Sequence, residues 1–167
     1  MSDLSRDEAI AKLADLIGDH RIAMLTTIDT DGAPWNRPMG LQDPAEFDGT
    51  LYMLTRADSE KVEHIARDAK VSVAFSKPSD QEYVTMTGTA AVTNDRQKIH
   101  DLWDVTTRAW WPEGPEDPNI RLITITVDRA EYWDSPASAI VYAVGLAKAV
   151  ITGEPADNMG ENEQVDL

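Results

Sequence analysis

Ala33-Pro34-Trp35-Asn36-Arg37-Pro38-Met39-Gly40-Leu41 reads as a strand. Asp48-Gly49 is a turn, Leu51-Tyr52-Met53-Leu54-Thr55 a second strand, and Asp58-Ser59-Glu60-Lys61 the opening of a helix. The first N–H groups of a helix lack internal acceptors, and the helix dipole favours negative charge there. Ser59 can cap the helix or offer a hydroxyl, and Lys61 adds a full charge within the first turn. Arg37, on a neighbouring strand, can present a fork of donors. The stretch is readable as a phosphate cradle. It is also readable as an ordinary capped helix with surface charges, and these residues alone leave both readings open.

Upstream, Ser5-Arg6-Asp7-Glu8 is a capping box, followed by Ile10, Leu13, Ala14 and Ile17 at helical spacing and Gly18 at the end. Arg21 to Asp29 alternates as a strand. Asp29-Thr30-Asp31-Gly32 turns it into Ala33–Leu41, giving a hairpin. Pro34 and Pro38 cannot donate ladder bonds, which predicts an edge or bulged strand.

Downstream, a helix from Ser59 to about Ala69 turns Val62, Ile65 and Ala66 inward. Strands follow at Lys70–Ser76 and Glu82–Thr93, with a bend at Gly88. Thr93 or Asn94 caps a helix through Ile99, Leu102 and Trp103. Trp110-Trp111 precedes a loop rich in proline and acid, and suits either a core plug or an aromatic wall beside a ligand or subunit. Ile120–Val127 is a strand, Asp128-Arg129-Ala130 a bulge or turn, and Ser135-Pro136 starts a further helix.

These elements predict a mostly β protein with peripheral helices: a small antiparallel six-stranded barrel. The expected organisation is one domain over 1–153 and an acidic tail over 154–167, mobile unless it docks on a partner.

The chain has 167 residues, no cysteine and a formal net charge of −15. Without cysteine there are no disulfides, thiolate nucleophiles or Fe–S clusters. His20, His64 and His100 lack ligand spacing and are expected as solvated surface residues, with no metal. The charge argues against nucleic acid as a partner. No apolar run is long enough to span a membrane, and the N-terminus lacks the regions of a signal peptide, so a cytoplasmic location is expected. Glycine-rich phosphate loops and the common hydrolase motifs are absent. Acidic pairs such as Glu46/Asp48 and Glu116/Asp117 sit in loops as ordinary solvated acids.

Arg37-Pro38-Met39-Gly40, Gly49-Thr50-Leu51-Tyr52 leading to Thr55, and Asp58-Ser59-Glu60-Lys61-Val62 occur in an order and spacing that resemble a known family. Tyr83–Gly88, Trp110–Pro118 and Ala130–Pro136 complete the pattern. The chain resembles the FMN-binding split-barrel superfamily, the fold of pyridoxamine 5′-phosphate oxidase. Within it, the chain is most similar to the bacterial general stress protein group. The likeness runs from Met24-Leu25-Thr26-Thr27 to the end of the chain.

The resemblance implies a homodimer with FMN at the subunit interface. Positions matching Arg37, Pro38 and Met39 line the flavin and its phosphate tail. Those matching Thr55, Ser59 and Lys61 hold phosphate and ribityl oxygens, and that matching Trp133 reaches the flavin from the partner. Trp110 is the second aromatic candidate at this cofactor site.

The sequence departs from the oxidase pattern in three places. Glu60 stands where the oxidase has a basic residue, and Tyr83 where it has glutamine. Asp134-Ser135-Pro136 follows Trp133 where the oxidase has a substrate-binding arginine–histidine pair. The flavin site looks kept and the pyridoxamine phosphate site lost. An FMN-dependent oxidoreductase follows, with a nicotinamide donor or a small electrophile as substrate. A carrier or stress sensor without turnover is the alternative. A deazaflavin user would want more bases around the groove.

Overall fold

The computed structural model describes residues 5–134 and 161–167. Helix α1 (Arg6–Ile17) begins at the expected capping box: Ser5 accepts from the Glu8 N–H, and the Glu8 carboxylate accepts from Ser5 N–H. Ala9, Leu13, Leu16 and Ile17 form its buried stripe.

Strands β1 (Ile22–Ile28) and β2 (Pro34–Gln42) form the expected hairpin, with Gly32 at φ 85° in the turn. β2 pairs with β1 along seven positions but with β3 (Thr50–Arg56) at only Leu41 and Gln42. The edge containing Pro34 and Pro38 is therefore free of the β3 ladder, as two residues without N–H donors require. Gly49 opens β3 at φ 106°, a conformation suited to glycine.

Helix α2 (Glu60–Arg67), β4 (Lys70–Lys77), β5 (Glu82–Thr93), helix α3 (Arg96–Asp101), β6 (Ile120–Asp134) and β7 (Glu161–Asp166) follow. The ladder order is β3-β2-β1-β4-β5-β6-β7, and β3 also pairs with β6. That last pairing closes six strands into the predicted barrel.

β6 explains the split. Its first half, Ile120–Thr126, pairs with β3, while Arg129–Asp134 has left β3 and pairs with β7. The change occurs at the expected bulge: Thr87 faces Arg129 but Gly88 faces Val127, so Asp128 is passed over. A Cβ on Gly88 would lie 2.1 Å from the Thr126 carbonyl oxygen. Glycine alone permits this approach.

Alternation sets the layers. Ala23, Leu25 and Thr27 of β1, Val71, Val73 and Phe75 of β4, and Val84 and Met86 of β5 point inward with α1. α1 lies near Gly49 at the end where β1 and β3 start, whereas α2 meets Thr27 at the end where β1 finishes. A second cluster, Leu54, Ile99, Trp111, Ile120 and Leu122, packs α3 and the loop after it on the outside of β3 and β6.

Several expectations are corrected. Residues 161–166 are a strand on β6 with Val165 in the core, not a mobile tail, because Val165 sits opposite Ala130 and is only 3% exposed. Asp95, rather than Thr93 or Asn94, caps α3 by accepting from the Lys98 N–H. Ala66 is exposed, because α2 turns His64 and Ile65 inward instead. The helix expected from Ser135-Pro136 lies outside the described residues.

Candidate functional site

Four of the residues singled out from sequence meet where β3 ends and α2 begins. Thr55, the last inward residue of β3, is 4% exposed. Its Oγ1 lies 2.9 Å from Ser59 Oγ and accepts from Lys61 Nζ at 3.3 Å. Ser59 occupies the N-cap position of α2, but its hydroxyl donates to the Arg56 carbonyl and makes no cap bond. The Glu60 and Lys61 N–H groups thus remain without acceptors among the described residues.

Arg37 arrives from β2. It sits opposite Leu25 in the β1–β2 ladder and therefore shares the inward side with Leu25 and Thr27. Its Nη1 donates to Thr27 Oγ1 at 2.7 Å and to the Leu25 carbonyl at 3.3 Å. Nε and Nη2 have no partner among the described residues.

The electrostatics are those of an incomplete site. Neither Arg37 nor Lys61 has a carboxylate within 4.0 Å among the described residues, although the chain carries a large acid excess. Burial holds the Lys61 ammonium below its ordinary pKa; Arg37 pushes the same way and Glu60 opposes. Burial likewise lowers Arg37, against the pull of Glu60. Two half-buried cations, of which Arg37 disfavours the charge on Lys61, beside two hydroxyls and a helix N-terminus, are matched by one dianion.

The other candidates lie elsewhere. Met39 is 8% exposed and its side chain belongs to the core, leaving only its main chain to meet a ligand. Pro38 pairs with Met24 on the outer sheet face. Trp133 also faces outward, opposite Tyr83, and no hydrogen bond ties it to the cation cluster among the described residues. Trp111 plugs the second core cluster, while Trp110 stands 81% exposed on the loop.

Sequence reasoning missed two residues. Thr27 is fully buried and bonds Arg37. His64, expected at the surface, is 6% exposed and places Nδ1 2.9 Å from Thr27 Oγ1. The available signal was position: His64 precedes Ile65 on the buried stripe of α2, and Thr27 follows Ala23 and Leu25 at strand alternation.

Several known proteins resemble this chain. The family model described as "Pyridoxamine 5′-phosphate oxidase like" matches residues 8–157. A candidate general stress protein 26 from Jannaschia sp. CCS1 superposes at TM-score 0.72 with 23% identity, covering 93% of this chain and 96% of that one. The general stress FMN/FAD binding protein of Xanthomonas citri gives TM-score 0.67 and 25% identity, over 79% of this chain and 92% of that one. Protein bli-3 of Neurospora crassa is 24% identical over 164 residues, 93% of this chain and 78% of the relative.

Proposed function

The chain belongs to the pyridoxamine 5′-phosphate oxidase-like family, and from that premise we propose that it binds FMN and acts as a flavin-dependent oxidoreductase. The observation that carries this reading is the uncompensated pair Arg37 and Lys61 beside Thr55, Ser59 and the start of α2. This donor set fits a phosphate monoester. Arg37 would offer Nε and Nη2, Lys61 its ammonium, Glu60 and Lys61 their main-chain N–H groups, and Ser59 and Thr55 their hydroxyls once these turn from the Arg56 carbonyl and from each other. A bound flavin supplies two-electron chemistry in its ring system; the protein supplies position and exclusion of water. Trp133 leads directly into Asp134, without the basic pair of a pyridoxamine phosphate oxidase, so a different small molecule or a nicotinamide is the expected substrate.

The name of the Xanthomonas citri protein, which covers FMN and FAD, supports flavin as the ligand class. The short cation cluster among the described residues, in a sequence with no glycine-rich loop, favours the mononucleotide. Titration of FMN and FAD against the protein, followed by flavin fluorescence, tests this. FMN is expected to be quenched and FAD much less so; unquenched FMN would remove the proposal. Reduction of bound flavin by NADH or NADPH, with repeated reoxidation, separates an enzyme from a carrier or stress sensor.

Lys61 also sets the expected pH dependence. A bound phosphate would raise the depressed Lys61 pKa, so binding takes up a proton where free Lys61 has begun to lose its own. Affinity should therefore be full at neutral pH and fall as pH rises through the free-state Lys61 value, which lies below 10.5. Lys61→Arg should move that decline to higher pH. The same titration between neutral and alkaline buffer reads both.

The partner is proposed to be a second copy of this chain. Ile22 (51% exposed), Met24 (39%), Tyr83 (42%) and Trp133 (38%) share the outer face of the sheet. An exposed aromatic and aliphatic set on one face favours association. In such a dimer Trp133 would approach the flavin of the partner. Sedimentation at micromolar concentration is expected to show a dimer, and Trp133→Asp to shift it towards monomer; a monomeric parent would refute the dimer.

A further inference from the structure

His64 and Thr27 do more than fill space. α2 carries Ser59 and Lys61; β2 carries Arg37; the two elements are joined through β1 by an unbroken hydrogen-bond chain. Arg37 Nη1 reaches Thr27 Oγ1 at 2.7 Å, and that oxygen lies 2.9 Å from His64 Nδ1. Thr27 is 0% exposed and His64 6% exposed, so water does not compete for these bonds.

The chain has a direction. A guanidinium only donates, and a threonine hydroxyl has one hydrogen. Among the described residues Thr27 Oγ1 has only these two partners. Its oxygen accepts from Arg37, and its hydrogen goes to His64 Nδ1. His64 is then the neutral imidazole with its proton on Nε2. The opposite arrangement would aim two donors at one oxygen and leave the buried hydroxyl hydrogen without an acceptor.

Arg37 consequently has Nη1 committed inward, which leaves Nε and Nη2 without a partner among the described residues. Without the chain, repulsion between the two cations would drive them apart, since only Glu60 offsets it. We propose that His64 and Thr27 are positioning residues, a buried strut that holds Arg37 beside the start of α2, where a phosphate monoester would bind. The inference rests on the phosphate reading of the Arg37–Lys61 cluster and adds the residues that shape it.

The test uses the full chain. In the unliganded parent, imidazole 15N shifts should report His64 as the Nε2–H tautomer with Nδ1 accepting; an Nδ1–H tautomer overturns the strut. Thr27→Val keeps the side-chain shape and removes the hydroxyl. It should weaken FMN about tenfold and leave riboflavin within about twofold, because only the phosphate contact is loosened. Thr27→Ser should restore FMN binding, which a packing role would not predict. If Thr27→Val binds FMN as the parent does, the strut is wrong while the flavin reading stands. If the parent binds no FMN, the flavin reading fails and inorganic phosphate decides the strut. A phosphate-dependent shift of the His64 ring signals supports it, and unchanged signals overturn it.

Discussion

Arg37→Ala and Lys61→Ala are each expected to raise the FMN dissociation constant on the order of ten- to a hundredfold, with the fold retained. A charge-assisted contact contributes about 1.5–3 kcal/mol, and about 1.4 kcal/mol is one decade of affinity. The lower end would apply if water replaced the lost cation easily. Burial of both groups argues for the upper end, because their charge is poorly screened. Neither side chain takes part in an ion pair among the described residues, so its removal breaks no salt bridge. For Lys61 the empty fold should gain slightly, since a charge that burial and Arg37 both disfavour is removed. Riboflavin, which lacks the phosphate, should bind both variants nearly as it binds the parent. Glu60→Arg should tighten FMN, because Glu60 is the one acid that acts on both cations. Fluorescence titration of the three variants with both ligands reads all these effects. Parent-like FMN affinity in both alanine variants would remove the phosphate site from this end of α2.

Gly88→Ala is expected to destabilise the protein by about 3 kcal/mol or more, at the upper end of the cost of overpacking. The added Cβ would meet the Thr126 carbonyl oxygen at 2.1 Å, its carbon at 2.9 Å and Val127 Cα at 3.0 Å. These are main-chain atoms of the strand that closes the barrel, and they cannot rotate away. Relief would require β5 and β6 to separate at the register shift beside Asp128. That is where β6 leaves β3, so the loss should spread to barrel closure. Denaturant unfolding measures it; Gly32→Ala should cost much less, since nothing lies within 4 Å of a Cβ there and only its φ of 85° is strained. Equal stability of Gly88→Ala and the parent would mean that the bulge relaxes freely.

Local chemistry was legible wherever neighbours in sequence decide the outcome. The Ser5/Glu8 box, the Gly32 and Gly49 turns, the β-alternation and the breaks at Pro34 and Pro38 all depend on contacts a few residues apart. Ser59 and Lys61 were legible for the same reason, since one helix start holds both; Thr55 joined them only through the family resemblance. Arg37 was a candidate from its donor fork on the neighbouring strand, and the family resemblance assigned it to the flavin site as well. His64 was misread because its place beside Ile65 marks it as buried only once α2 is known to lie over the end of β1. The tail was misread because Glu161–Asp166 is acidic, and its strand state depends on Tyr132 and Ala130 some thirty residues upstream, as the Tyr132–Glu163 hydrogen bond illustrates.

By itself, then, the amino-acid order determined the strands, the turns, the barrel class and the helix start that carries Ser59 and Lys61, because propensity, capping and alternation act over a few bonds. Only the tertiary structure decided the β3–β6 closure, the departure of β6 at Asp128, and the seating of β7. It also decided the approach of Arg37 to Lys61 and the burial of Thr27 and His64 between them. Those features bring together segments 10 to 75 or so residues apart. What selects such pairings is the shared volume of the core and the satisfaction of buried polar groups, and neither is written in any one stretch of the chain.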